Sequence, residues 1–313
     1  MIADSFAEWL LRQGHKVIQT ESSYWVESGP RIFQAFPYHQ VINPPIDELN
    51  SLLTRNPAIG LRYSTLWNEP VGMASYHVTF TGREYPLVSL PKKARHDVQR
   101  GMNAASIEPI SFERLASDGW RLRADTLQRQ GRIGAETQAW WQNLCQSADG
   151  LPGFETWAAI VNGQLAASLI AFTNGDCCSI LYQQSRTEYL SLGVNNALTF
   201  VFTDDVLKRP GQPWIFYGLH SLDAPPSVDE FKFRMRYTAK PVRQRVVFHP
   251  WLAPLFNSAS YAVLRGLLHL MPGNPTLTKT EGMVRFYLEG KRPLEQQTWP
   301  SPLLQNKDSL EER

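Results

Sequence analysis

Residues 154–183 read FETWAAIVNGQLAASLIAFTNGDCCSILYQ, three apolar runs separated by Asn162-Gly163 and Asn174-Gly175. Asn-Gly between apolar runs is the strongest short-range hairpin signal, because a two-residue turn that matches strand twist needs positive φ, which these residues tolerate. The spacing predicts strands at Glu155–Val161, Gln164–Phe172 and Cys177–Gln183, joined as an antiparallel meander. Toward the C-terminus the pattern continues with a helix from Leu192 to Leu207, a strand at Trp214–Leu219, a helix from Pro226 to Met235 and a strand at Val242–Phe248. Toward the N-terminus, helices are expected over Phe112–Gln130 and Thr137–Ser147. The order is that of an α+β fold, a mixed sheet flanked by helices.

Further out, Phe6, Trp9 and Leu10 mark one face of a helix over Ser5–Gln13, stopped by Gly14. Short strands are expected at Lys16–Thr20, Tyr24–Glu27 and Arg31–Phe36. A helix starts at Pro44-Pro45-Ile46-Asp47-Glu48, where proline suits a first turn and acids suit the positive helix end. Strands at Gly60–Ser64 and Ser75–Phe80 follow. From Pro91 to Ala105 a helix carries Lys92, His96 and Arg100 four residues apart on one face, with Arg95 beside them. The stretch Trp251–Met271 is apolar but interrupted by Asn257, Arg265 and His269; it reads as an amphipathic helix packed on the body, with peripheral attachment to a membrane surface as the alternative.

The 313 residues are 43% apolar and 19% charged with a formal net charge of +2, enough to fill a sizeable core but without a global basic field that would point to DNA. Any anion site is therefore local. Cys145, Cys177 and Cys178 are too few and too badly spaced for a disulfide framework or a zinc site, and no metal site is expected. His-Glu-x-x-His, Gly-x-Ser-x-Gly and Walker patterns are absent from the sequence. Met1-Ile2-Ala3-Asp4-Ser5-Phe6 lacks the basic start and apolar run of a signal peptide, so a cytoplasmic location is expected.

The element order resembles the core of the GCN5-related N-acetyltransferase (GNAT) fold, which FemAB-type transferases carry as two tandem units. Two stretches carry the resemblance further. Lys92-Lys93-Ala94-Arg95-His96-Asp97-Val98-Gln99-Arg100-Gly101 is similar to the basic helix that FemAB-like proteins place between their units. Phe231-Lys232-Phe233-Arg234-Met235-Arg236-Tyr237, with a strand ending Phe248-His249-Pro250, is similar to the segment that closes their second unit. The resemblance covers Leu90 to Pro250, and includes uncharacterised bacterial relatives linked to exopolysaccharide production. It implies a degenerate N-terminal unit at residues 1–90, an acyltransferase unit at 91–250, and a C-terminal helical extension with a polar tail at 251–313. It also implies transfer of an acyl or aminoacyl group to an amine or hydroxyl, with acyl-coenzyme A or charged transfer RNA as donor and a small molecule or an envelope or exopolysaccharide precursor as acceptor. A noncatalytic GNAT-fold protein serving a polysaccharide biosynthesis complex is the other reading. Coenzyme-A-dependent members carry a glycine-rich loop before the donor-binding helix; here Arg186 to Ala197 holds one glycine, Gly193, which leans toward the aminoacyl-transferring type.

By the same resemblance the donor enters between Cys177–Gln183 and Trp214–Leu219, with Gln183, Gln184 and Ser185 at the mouth. Gly193, Asn195 and Asn196 open the next helix, where unpaired amides favour a phosphate or simply make a good cap. Tyr217, His220 and Asp223 cluster after the penultimate strand and are the candidate catalytic groups, the imidazole being the obvious general base. Lys232 and Arg236, one turn apart, either contact the donor or answer the helix dipole. Lys92, Arg95, Arg100, Arg129 and Arg132 are further candidate anion contacts or an ordinary solvated face.

Overall fold

The computed structural model describes residues 2–132, 136–211, 213–221, 226–271 and 274–304. In chain order the elements begin with α1 (Ile2–Arg12), β1 (Val17–Gln19), β2 (Tyr24–Gly29), β3 (Ile32–Phe36), α2 (Ile46–Arg55), β4 (Gly60–Thr65) and β5 (Met73–Phe80). Then come α3 (Lys92–Ala104), β6 (Ser106–Ile110), α4 (Phe112–Asp118), α5 (Trp120–Arg129), α6 (Gln138–Ala148), β7 (Phe154–Val161), β8 (Gln164–Asn174) and β9 (Cys177–Ser185). The remainder is α7 (Val194–Leu207), β10 (Trp214–Leu219), α8 (Pro226–Arg234), β11 (Thr238–Phe248), α9 (Ser258–Leu270), α10 (Pro275–Glu289) and α11 (Ser301–Leu304). The chain divides into two compact units, one of residues 1–14, 78–218 and 226–238, the other of residues 15–77, 219–225 and 239–313.

In the first unit the strands run in the order β10-β9-β8-β7-β6, with β10 parallel to β9 and the others antiparallel. The meander is as the sequence predicts. Val161 pairs with Gln164 around Asn162 (φ 51°) and Gly163 (φ 80°), the two positive values such a turn requires. The second turn is shifted by one residue: Asn174 pairs with Cys177, so Gly175 and Asp176 form the loop and Asn174 ends the strand. Strand β6 was not expected. Its exposed, Pro109-interrupted sequence gives no alternating signal, and among the described residues it pairs along one side, with β7. The single helix expected over 112–130 is two, α4 and α5, meeting at Gly119.

The core of this unit is aromatic. Phe6 and Trp9 of α1 pack against Phe154 and Phe172, with ring centroids 4.5–6.1 Å apart. Trp9 Nε1 donates to Leu144 O at 3.0 Å, and Trp141 Nε1 to Leu115 O at 3.1 Å, so the buried indoles keep their hydrogen bonds. The first helix thus belongs with the sheet of residues 154–185, not with an N-terminal unit, because its apolar stripe is matched by the aromatic face of β7 and β8.

In the second unit the strand order is β1-β2-β3-β4-β11-β5. β3 and β4 are parallel, and β11 pairs antiparallel with β4, Phe248 facing Gly60. Leu49, Leu52 and Leu53 of α2 bury against Trp25, Phe33, Leu61 and Tyr63; full burial of each leucine contributes roughly 2 kcal/mol. A second cluster gathers Met73, Val246, Phe248, Met283, Val284 and Phe286, with Tyr261 and Leu264 of α9 against it. The division expected at residue 90 differs from the observed one because β11 pairs with β4, which carries the chain after residue 238 into this unit. The expected helix over 251–271 is a shorter α9, begun by a capping box in which Asn257 accepts from Ser260 N and Ser260 Oγ accepts from Asn257 N.

Candidate functional site

Strands β9 and β10 pair at three positions, Trp214 with Cys177, Ile215 with Cys178 and Phe216 with Ser179. The ladder between them ends there, although β9 runs on to Ser185 and β10 to Leu219. Tyr217, the first residue beyond the ladder, is buried and donates its hydroxyl to Gln183 Oε1. Gln183 Nε2 in turn donates to Thr199 Oγ1 of α7 at 3.0 Å. Burial holds the Tyr217 phenol well above its ordinary value, so it is a neutral donor and not a phenolate. The Tyr237 ring lies 5.0 Å away, its hydroxyl 2.6 Å from Thr203 Oγ1. Lys232 Nζ sits 5.2 Å from the Tyr217 ring centroid and 2.8 Å from Asp229 Oδ1. Of the sequence-derived candidates, Tyr217 and Lys232 are therefore brought together.

Side chains alternate along β9, and this separates Gln183 from Gln184. Gln184 is buried and donates to Ser168 Oγ at 2.7 Å, so it does not join the Tyr217 cluster. Ser185, Asn195 and Arg129 do meet: Asn195 Nδ2 donates to Ser185 Oγ at 2.9 Å, and Arg129 Nη2 to the same oxygen at 3.1 Å. Arg129 is also held by Asp125 at 3.0 Å and Thr187 Oγ1 at 2.9 Å, so its charge is matched within the unit. Asp125 sits below its ordinary carboxyl value although burial raises it, because hydrogen bonds from Thr187 and Arg129 outweigh that cost.

Gly193 is fixed by packing. It has φ 79°, and a Cβ there would lie 2.2 Å from Asp97 O, where α7 crosses the basic helix α3; a Cβ on Gly101 would meet Gly193 O at 2.5 Å. Lys92, His96 and Arg100 are exposed on α3, with Arg100 Nη2 2.6 Å from Asp97 Oδ1 and Arg95 half-buried. Asn196 Nδ2 lies 3.5 Å from Met235 Sδ, and Arg236 Nε donates to Ser89 O at 2.8 Å. Arg132 is half-buried beyond α5. Asp223 lies outside the described residues.

His220 belongs to the second unit and is built into a polar cluster there. Its ring stacks on Tyr76 with centroids 4.6 Å apart and an 18° interplanar angle, and Nδ1 lies 3.2 Å from Ser75 Oγ. Its backbone N donates to Tyr76 O at 2.9 Å, while its carbonyl accepts from Arg62 Nη2 at 3.2 Å. Arg62 Nε also donates to Gln244 Oε1 at 2.8 Å. Near them on β5, His77 Nε2 is 2.8 Å from Ser64 Oγ. Burial, helped by the positive charges of Lys240 and Arg62, pushes the His77 imidazole down to about 3, so it stays neutral. Arg62, Ser75, His77 and Gln244 were not singled out from sequence. The strands that carry them, GLRYST and MASYHVTF, also hold Ser64, Thr65, Ser75 and Thr79, so a polar side chain within them gives no signal of its own.

An imidazole oriented by a hydroxyl and stacked on a ring can take a proton, and a neutral buried phenol can donate a hydrogen bond to developing negative charge. The three cysteines are free and buried, and burial raises the Cys145 and Cys178 thiols to about 12, leaving them protonated. Among the described residues no group of three or more His, Cys, Asp or Glu is placed to hold a metal ion, and no helix is long and apolar enough to cross a membrane.

No family model and no curated protein matches the sequence. The structure is similar to that of FemX, with a TM-score of 0.52 at 9% identity over 80% of this chain and 92% of that one. It also matches the C-terminal domain of a putative lysylphosphatidylglycerol synthetase from Agrobacterium fabrum, with a TM-score of 0.48 at 11% identity over 84% and 91% of the two chains. A tandem GNAT protein of the clavulanic acid biosynthesis pathway matches with a TM-score of 0.46 at 10% identity over 74% and 82%. The likeness to FemX establishes the fold class: mixed sheets flanked by helices.

Proposed function

We propose that the chain is an acyltransferase that moves an acyl or aminoacyl group onto an amine or hydroxyl of a small acceptor or an envelope or exopolysaccharide precursor. The observation that carries the reading is the end of the β9–β10 ladder at Phe216, beyond which the facing edges of these two strands no longer pair with each other beside the start of α7, where a donor chain can hydrogen-bond. In this reading Tyr217, held neutral by burial, donates to the negative charge that develops as the acyl group transfers. Within the second unit, His220, oriented by Ser75, is the group suited to take up a proton. Positioning supplies much of the rate, since orienting donor and acceptor removes roughly 7 to 11 kcal/mol of barrier in favourable cases. The single glycine at the start of α7, spent on helix packing, favours charged transfer RNA over acyl-coenzyme A as donor.

A second reading is a binding protein without turnover. The hydrogen bond from Tyr217 to Gln183 favours it, because it bridges the two strands just where they cease to pair. Purified protein incubated with acyl-coenzyme A, with charged transfer RNA and with cell extract, followed by mass analysis of products and retained ligand, separates the two. Donor-dependent acylation of an acceptor is the expected result. A retained ligand with no acylated product under any donor selects the binding reading.

A further inference from the structure

Residues 251–271 hold six of the thirteen exposed large apolar side chains among the described residues: Trp251, Leu255, Val263, Leu267, Leu270 and Met271. On α9, Tyr261 and Leu264 turn inward to the core cluster, and Tyr261 Oη donates to Glu281 of α10 at 2.7 Å. The opposite stripe, Val263, Leu267 and Leu270 at four- and three-residue steps, is 65%, 43% and 77% exposed. Trp251 is 85% exposed. Folding has satisfied one face of this helix and left the other exposed among the described residues.

Charge identifies the occupant. From Ala239 to Thr280 the sequence carries no Asp or Glu but has, besides the buried Arg243, Lys240, Arg245, Arg265 and Lys279, in a chain whose net charge is only +2. Arg265 and Lys279 are exposed. The nearest acid on the packed helix, Glu281, is engaged by Arg285 at 3.3 Å and by Tyr261. An apolar protein partner would be met equally well by a surface of either sign, whereas an acid-free apolar stripe with an exposed indole and flanking cations suits the headgroup zone of a negatively charged bilayer. At thirteen residues α9 is about 20 Å long, too short to span a hydrocarbon core of about 30 Å, so contact along the surface is the geometry available.

We infer that residues 251–271 are a membrane-surface anchor, laying the Val263–Leu267–Leu270 stripe and Trp251 into the boundary of an anionic lipid bilayer. The anchor is independent of the transfer reaction and holds whether or not the chain turns over. Flotation of the full chain with vesicles of equal parts phosphatidylcholine and phosphatidylglycerol, and with phosphatidylcholine alone, tests it. The expected result is binding to the mixed vesicles, weaker binding to the neutral ones, and a loss of about tenfold or more for Val263→Asp/Leu267→Asp. Circular dichroism checks that variant's fold; if it is misfolded, Trp251→Ser/Leu270→Ser, at the two most exposed positions, replaces it. Absence of flotation, equal binding to both vesicles, or binding unchanged by the substitutions overturns the inference. A concentration-dependent dimer abolished by the same substitutions, without flotation, assigns the stripe to a second copy of the chain instead.

Discussion

Tyr217 and His220 are three residues apart in sequence, yet their side chains are set in two different kinds of polar surroundings, each in its own unit. Around Tyr217 the partners are neutral: an amide, two threonines and a second phenol, with Lys232 paired to Asp229 nearby. Around His220 the partners include a guanidinium and, near it, a second imidazole, all on strands of a buried sheet. The first cluster gains its order from shape and hydrogen bonds and titrates far from neutrality. The second holds the buried His77 imidazole well below its ordinary value beside cations, and so its stability is the one that pH controls.

The largest expected effect tests the chemical side of that contrast. His220→Ala is expected to lower turnover in a working transfer assay by a factor on the order of 10² to 10⁴ with folding intact by circular dichroism. Full activity in that variant refutes the base assignment and favours a substrate-assisted or water-relayed route. Next in size is Gly193→Ala, which forces a Cβ into Asp97 O at 2.2 Å and a side chain onto a φ of 79°. It is expected to destabilise the first unit by about 3 kcal/mol or more, read by denaturant unfolding. A loss under 1 kcal/mol on that scale shows that α3 and α7 separate easily and that the glycine serves another purpose.

The pH dependence sharpens the second cluster. The folded His77 imidazole is held near 3, below its unfolded value of about 6.5, so the unfolded chain binds more protons in between. Its contribution is present in full above pH 6.5 and is lost as pH falls from there toward 3. The slope is at most about 1.4 kcal/mol per pH unit, and His77→Gln is expected to flatten it in thermal melts taken across that range. An unchanged slope would place the acid sensitivity elsewhere. The smallest effect is that of Tyr217→Phe, expected to cost about 1 kcal/mol of stability, because Gln183 keeps its bond to Thr199. A turnover loss as large as that of His220→Ala would erase the distinction between the two clusters and make the phenol an equal participant.

Much of the fold was legible because it rests on local signals. The Asn162-Gly163 turn dictates a hairpin by backbone geometry, and the stripes of α1 and α2 dictate helices by their period. Strand β6 was missed for the converse reason, since a proline-bearing edge strand is defined by its neighbour more than by its own residues. The candidate site was legible as a set of residue types but not as an arrangement. Sequence grouped Gln183, Gln184 and Ser185 together, while the alternation of β9 turns Gln183 to Tyr217 and sends Gln184 to Ser168. Arg62 and His77 drew no notice because a buried polar side chain declares itself only when its partners, here Gln244 and Ser64, are seen opposite it.

What the sequence determined by itself was the list of elements, since turns, caps and apolar periods are properties of a few neighbouring residues. What only the tertiary structure decided was company. α1 joins the aromatic face of β7 and β8, β11 pairs with β4, and His220 stacks on Tyr76, because each of these partnerships is settled by side chains more than 140 residues apart competing for one buried surface.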